Sequence, residues 1–148
     1  MRILYCGDIV GRSGREALLK YLPQLQAELS LDFIIANGEN SAHGFGITKS
    51  ICQELFSAGV DVITTGNHIW DQREIMSYID HEKRLLRPLN YPATAPGKGW
   101  VLATSRSGKK VLVINAMARL FMEPLDDPFT AVDTVLKQTP LKTAVAAA

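Results

Sequence analysis

Short apolar runs alternate along the chain with helical patterns of leucine and isoleucine. The first three runs are Ile3–Cys6, Asp32–Ala36 and Val60–Thr64, and each predicts a β-strand. Leucines spaced three or four residues apart between positions 18 and 29, and apolar residues between 48 and 58, predict two amphipathic helices. Strands that alternate with helices in this way are typical of βαβ units, so the pattern predicts an α/β fold with a parallel sheet.

Local signals predict where the helices begin and end. Ser13 and Glu16 have the spacing of a capping box and predict the start of the first helix, and Pro23 predicts a kink or break within it. Gly59 predicts the end of the second helix, and Asp71 is placed to cap a third helix that runs to about residue 79.

The second half of the chain predicts a loop, a hairpin and a helix. Residues 84–96 contain three prolines and predict the loop. The runs Trp100–Thr104 and Lys110–Ile114 flank a Ser-Gly-Lys turn and predict a β-hairpin. Asp127 followed by Pro128 predicts a capped helix that ends near residue 138.

Composition narrows the class of protein. A chain of 148 residues predicts a single domain, residues 1–148, and a formal net charge of +1 argues against binding DNA or an anionic membrane. No stretch approaches the roughly 18 apolar residues of a membrane span, and the apolar N-terminus is too short for a signal peptide. We therefore expect a cytoplasmic protein without a membrane partner.

Polar side chains follow each of the first three predicted strands. Asp8 follows the first, Glu39 and Asn40 follow the second, and Asn67 and His68 follow the third. Equivalent ends of parallel strands lie along one edge of a sheet, where ligands of open α/β folds bind, and neighbouring strands are ~4.8 Å apart. The sequence therefore predicts that these five side chains converge.

This combination of side chains favours a metal site over a set of turn residues. Carboxylates held close together need a cation or a shared proton, and oxygen ligands with an imidazole suit Mn, Fe or Zn. A single Asp or Asn after a strand is more often a turn residue or a helix cap. The same chemistry at three successive strand ends makes the shared site the better interpretation.

Several sequence motifs carry a family resemblance. The segments GDIVGRSGR, ANGEN with the following GFGIT, TGNHIWD, RLLRPLNYP and NAMARLFMEPLDDPF resemble the YmdB-like branch of the calcineurin-like metallophosphoesterases, over most of residues 1–139. The resemblance implies a four-layer α/β/β/α fold, of which this chain would be the N-terminal portion. It also implies a dinuclear metal centre and hydrolysis of phosphodiesters, with 2′,3′-cyclic nucleotides as the substrates.

The resemblance also implies a role for each candidate residue. Asp8 would bind one metal ion, Glu39 would bridge both, and Asn40 would lie beside the first. Asn67 would bind the second ion and meet the substrate phosphate, and His68 would contact the substrate as proton donor to the leaving oxygen. The two ions would be Fe or Mn in preference to Zn or Mg, and they would activate a hydroxide that attacks phosphorus. The sequence is compatible with a homo-oligomer and does not determine the oligomeric state.

Part of the family pattern is missing from this sequence. The family also uses histidines from segments like DFHAE and GTHTH, whereas the histidines here are His43, His68 and His81. The sequence ends in LKTAVAAA, so we expect that the C-terminal part of the domain is missing and that activity of residues 1–148 alone is weak. A non-catalytic truncated remnant is therefore one alternative function.

A second alternative is a nucleotide-binding α/β module that does not hydrolyse its ligand. Gly7, Gly11 and Gly14 follow a strand and precede a helix, as the glycines of phosphate-binding loops do. Their spacing is GxxxGxxG, which matches neither the Rossmann motif nor the P-loop. The metallophosphoesterase interpretation is therefore the stronger one.

Overall fold

A computed structural model describes residues 1–139 and the backbone of 145–147. Its elements, in chain order, are β1 (Ile3–Cys6), α1 (Gly11–Leu29), β2 (Phe33–Asn37), α2 (Lys49–Ser57), β3 (Val62–Thr64), a 3₁₀ turn (Asn67–Trp70), α3 (Ile75–Tyr78), β4 (Leu85–Leu86), β5 (Trp100–Thr104), β6 (Lys110–Ile114), α4 (Pro128–Gln138) and β7 (Val145–Ala147). Within the described residues, no helix is long and apolar enough to cross a membrane.

The strands form two sheets. The first is parallel, in the order β1-β2-β3-β4, and the second has the order β5-β6-β7, with β5 and β6 antiparallel and β7 parallel to β6. Strands alternate with helices through the first sheet, and this confirms the predicted α/β class. The predicted hairpin is confirmed with its bounds unchanged.

Two apolar clusters define the layers. Within β2, Ile34 and Ala36 belong to the cluster that includes residues of α1 and α2, so the helices cover one face of the first sheet. Phe33 and Ile35 belong to the cluster that contains Val111 of the second sheet, so the other face packs against that sheet. Because β2 is buried on both faces, its sequence is continuously apolar instead of alternating.

The predicted capping box at Ser13 and Glu16 is wrong. Helix α1 begins at Gly11, two residues earlier, and no side chain caps it. The backbone N–H of Gly11 instead donates to the carbonyl oxygen of Asn40 at 2.8 Å, so a contact with the next strand end replaces the local cap. Of the kink or break predicted at Pro23, the break is wrong, because α1 continues through this residue to Leu29, and the kink stays a prediction.

The predicted cap at Asp71 is wrong as well. Helix α3 covers only Ile75–Tyr78 and has no side-chain cap, and the Asp71 carboxylate instead contacts the ring of His68. The segment predicted as a loop at residues 84–96 contains the short strand β4, which extends the first sheet. By contrast, the predicted cap at Asp127 is confirmed, since its carboxylate accepts from the backbone N–H of Thr130.

A salt-bridge network joins the two sheets near the amino end of β3. The Asp61 carboxylate accepts from the backbone N–H of Ile34 at 2.7 Å and from the guanidinium of Arg106 at 2.6 Å. The same guanidinium also donates to the carbonyl oxygen of Gly59 at 2.8 Å. Asp61 therefore satisfies a donor of β2 and holds the β5–β6 turn against the first sheet.

Replacing Asp61 by alanine should lower the free energy of unfolding by about 1–3 kcal/mol, because the partly buried N–H of Ile34 loses its carboxylate acceptor and the Arg106 guanidinium loses its ion pair. Asp133→Ala is the matched control, since it removes an exposed i,i+4 pair with Lys137 and should cost about 0.5 kcal/mol or less. Urea denaturation of both variants measures the difference. Equal losses would show that the Asp61 network does not stabilise the fold.

Candidate functional site

The ends of β1, β2 and β3 meet at one edge of the first sheet. Cys6 is paired with Ala36, and Asn37 is paired with Thr64. The pairing continues past the strands, because the N–H of Ile9 donates to the oxygen of Asn37 and the N–H of Gly38 donates to that of Thr64, both at 3.0 Å. The three polar segments that follow the strands therefore lie side by side.

Asp8 and Asn40 contact each other at this edge. The side-chain amide of Asn40 donates to Oδ1 of Asp8 at 2.7 Å. Asp8 has a φ of +38°, a conformation that Asp adopts more readily than most residues because its short side chain makes local hydrogen bonds. The strand end thus turns sharply at Asp8, and the turn directs its carboxylate toward the neighbouring segment.

Glu39 lies between the second and third strand ends. The side-chain amide of Asn37 donates to its Oε1 and the backbone N–H of His68 donates to its Oε2, each at 3.4 Å. A Cβ atom at Gly66 would collide with both oxygens of this carboxylate. A side chain at position 66 would therefore displace the carboxylate, because the carboxylate occupies the space where that side chain would be.

An open cleft of about 350 Å³ lies beside Glu39, and we call it the strand-end cleft. Tyr5 of β1 lines it together with five polar residues that follow or end strands: Asn37, Glu39, Thr65, Asn67 and Asn115. None of the described residues that line it carries a cationic side chain. Arg87, although close in sequence to β4, is buried and donates to the carbonyl oxygens of Pro88 and Pro96, and burial lowers its pKa.

His68 is held in place by two neighbouring side chains. Its Nδ1 lies 2.7 Å from Oδ2 of Asp71, and the Phe45 ring packs against its ring in a T-shaped arrangement with centroids 5.2 Å apart. Gln72 donates to the carbonyl oxygen of Phe45 at 3.0 Å, which ties the glycine-rich loop to the 3₁₀ turn. With Nδ1 on Asp71, Nε2 is the ring nitrogen left to act on a ligand.

The structure brings the predicted site residues to one edge of the sheet in two groups. Asp8 contacts Asn40, while Glu39 and Asn67 line the strand-end cleft and Glu39 also meets the backbone of His68. Within the described part of the chain, no three His, Cys, Asp or Glu side chains are grouped as a metal site. A metal centre would therefore need the two amides as ligands, and these ligand roles stay a prediction.

Sequence reasoning missed Asn115, which follows β6 of the second sheet. Its side-chain amide donates to the carbonyl oxygens of Thr65 at 2.8 Å and Leu86 at 3.1 Å, so it joins the end of β6 to the ends of β3 and β4. The available signal was the one used for the first sheet, namely an Asn placed directly after an apolar strand. That signal does not place Asn115 at the site, because its partners Thr65 and Leu86 are distant in sequence and follow or end strands of the other sheet.

Sequence reasoning also missed Asn90, which is fully buried. Its side chain donates to the carbonyl oxygens of Met117 and Asp126 and accepts from the N–H of Met117 at 3.0 Å. Asn90 therefore fixes both ends of the segment 117–126, which forms part of the lining of the strand-end cleft.

Comparisons with known proteins point to one family. The family model described as YmdB-like protein matches residues 4–147. The chain is 44% identical over 143 residues to a 2′,3′-cyclic-nucleotide 2′-phosphodiesterase of Bacillus subtilis (strain 168), a match that covers 97% of this chain and 54% of that protein.

Two crystal structures share the fold. A hypothetical protein from Thermus thermophilus aligns with a TM-score of 0.89 and 38% identity, over 99% of this chain and 56% of its own. A phosphatase from Mycoplasma pneumoniae aligns with a TM-score of 0.85 and 26% identity, over 96% of this chain and 52% of its own. The chain thus spans about half the length of the proteins that it matches.

The position of the Glu39 carboxylate can be tested at Gly66. Gly66→Ala should displace the carboxylate and weaken Mn²⁺ binding about 10- to 100-fold, the usual effect of disturbing groups that orient metal ligands. Gly7→Ala is the matched control at another strand end, because its added Cβ would make only an ordinary contact with Tyr5 at 3.7 Å. Isothermal titration with Mn²⁺ measures both. Unchanged affinity in Gly66→Ala would remove Glu39 from the ligand set.

Proposed function

Because this chain belongs to the YmdB-like protein family, we propose that it takes part in metal-dependent hydrolysis of phosphodiester bonds, with 2′,3′-cyclic nucleotides as the substrate class. The reaction would take place at the edge where β1, β2 and β3 end. The proposal includes the substrate named for the relative from Bacillus subtilis and the five site residues predicted from sequence.

The observation that carries the proposal is the charge of the strand-end cleft. It contains the Glu39 carboxylate and several amides, and none of its described lining residues is a lysine or arginine. A phosphodiester is an anion and would be repelled by this carboxylate unless positive charge is supplied. Metal ions held by Glu39 and its neighbours would meet that requirement, so the charge pattern favours a metal-dependent enzyme over a simple phosphate-binding module.

The residues present fit such ions. Carboxylate and amide oxygens are ligands that Mn and Mg accept, and the missing Cβ at Gly66 leaves room for the Glu39 carboxylate to reach the cleft. Asp8 and Asn40 would hold one ion and Asn67 the other, with Glu39 shared between them. When bound, these ions would supply positive charge that neutralises the phosphoryl oxygens.

The chain's own residues would position the substrate and deliver a proton. Asn67 lines the cleft and would donate its amide N–H to a phosphoryl oxygen. His68 follows it, and Asp71 holds Nδ1 so that Nε2 would protonate the departing ribose oxygen. Phe45 packs on the ring and limits its rotation, which keeps the proton donor aligned.

The role of His68 is tested through the leaving group. His68→Ala should lower turnover of 2′,3′-cyclic AMP by about 10²- to 10⁴-fold, the usual contribution of general acid–base catalysis. The loss should be smaller for bis-p-nitrophenyl phosphate, because nitrophenolate departs without a proton. His81→Ala, an exposed histidine elsewhere, is the control and should change neither rate.

Steady-state rates in the presence of Mn²⁺ give the comparison. Equal losses on the two substrates would remove His68 from the role of general acid while leaving phosphodiester hydrolysis in place. No Mn²⁺-dependent hydrolysis of either substrate by the unmodified protein would contradict the proposed function itself.

A further inference from the structure

A second cleft opens directly beside the strand-end cleft. It has a volume of about 440 Å³, within the roughly 300–1,000 Å³ typical of small-molecule sites. Asn67, Met117 and Met122 line both clefts, so the two are adjacent. A ligand whose phosphate lies near Asn67 would therefore extend into the second cleft, which we call the aromatic cleft.

The fixed wall of the aromatic cleft is built from two rings. Trp70 and Tyr91 pack edge to face with ring centroids 5.8 Å apart, and both pack against the helix-side core. Burial raises the pKa of the Tyr91 hydroxyl, so this side chain stays neutral at ordinary pH. The wall is a rigid aromatic surface that starts beside the proposed phosphate position.

Phe121 lines the same cleft and is exposed to an unusual degree. Its side chain is 98% exposed, and its φ of +58° is rare for an aromatic residue. Backbone conformations of this kind are costly, and they concentrate at ligand clamps and active sites. Because the ends of segment 117–126 are fixed by the buried Asn90, Phe121 is presented at the tip of an anchored loop.

The charges around the aromatic cleft determine which class of ligand can bind there. Asp71 and Glu123 line it, and none of its described lining residues is cationic. A second anionic group would be repelled there, whereas a neutral ring with N–H donors would find carboxylate acceptors at its edge. A flat, neutral ring with N–H donors that is joined to a phosphate through a sugar is a nucleobase.

We propose that the aromatic cleft is the nucleobase subsite of this enzyme, in which Phe121 stacks on the base while the phosphate lies in the strand-end cleft. The inference rests on the proposed function, since it assigns a binding site to the base of the nucleotide, which takes no part in the reaction at phosphorus. It makes Phe121 a specificity-determining residue.

The test compares a nucleotide with a substrate that lacks the base. Phe121→Ala should raise KM for 2′,3′-cyclic AMP about 5- to 150-fold, the contribution of one base–aromatic stack, and leave KM for 1-O-methylribose 2′,3′-cyclic phosphate unchanged. Phe121→Trp should restore KM for cyclic AMP because it restores a stacking face. Phe129→Ala is the matched control, because this phenylalanine is 83% exposed but lines neither cleft.

Binding provides a readout that does not depend on turnover. Adenosine 2′-monophosphate should quench the fluorescence of Trp70, and Phe121→Ala should weaken the apparent affinity while Phe129→Ala does not. Equal effects of Phe121→Ala on the nucleotide and the base-free analogue, or no effect on either, would overturn the subsite and leave the proposed function intact. Absence of hydrolysis together with Phe121-dependent nucleotide binding would support the subsite and overturn the proposed reaction.

Discussion

The parallel register of β1, β2 and β3 is the constraint on which the rest of the site depends. It aligns three strand ends, and backbone hydrogen bonds from Ile9 to Asn37 and from Gly38 to Thr64 extend the alignment beyond the strands. A slip of one residue would turn side chains to the opposite face of the sheet. Because β2 is apolar on both faces, its pattern alone does not exclude such a slip, and the backbone hydrogen bonds beyond the strand ends together with the contact between Asp61 and Ile34 set where the polar side chains meet.

The same alignment brings negatively charged side chains to one edge of the first sheet. Asp8 and Glu39 are brought to one edge, where amide and backbone N–H groups contact their carboxylates. These donors make hydrogen bonds to the carboxylate oxygens but carry no net positive charge. The described lining of the strand-end cleft contains no cationic side chain. A bound metal ion would complete this arrangement, whereas a purely structural role would be better served by an arginine or lysine at the same place.

Sequence could predict the elements whose pattern is local, together with the edge where the site lies. The strand ends were predictable because βαβ repeats force parallel ends together, and Asp127 was predictable because a cap followed by proline is a local motif. The start of α1 was not predictable, because the backbone oxygen of Asn40, after the next strand, accepts from the N–H of Gly11 and takes the place of a local cap. Asn90 and Asn115 were missed since their partners are distant in sequence, and the same holds for the exposure and positive φ of Phe121.

The most direct test of the shared site is a crystal structure of the protein grown with Mn²⁺, with the ions located by their anomalous scattering. Two anomalous peaks are predicted at the edge of the first sheet, both within coordinating distance of the Glu39 carboxylate, about 2.0–2.2 Å for a carboxylate oxygen on a transition metal. One should also contact Asp8 and the other Asn67. Ions bound elsewhere, or no peak at Glu39 with Mn²⁺ at saturating concentration, would contradict the proposal that these three strand ends form a metal centre.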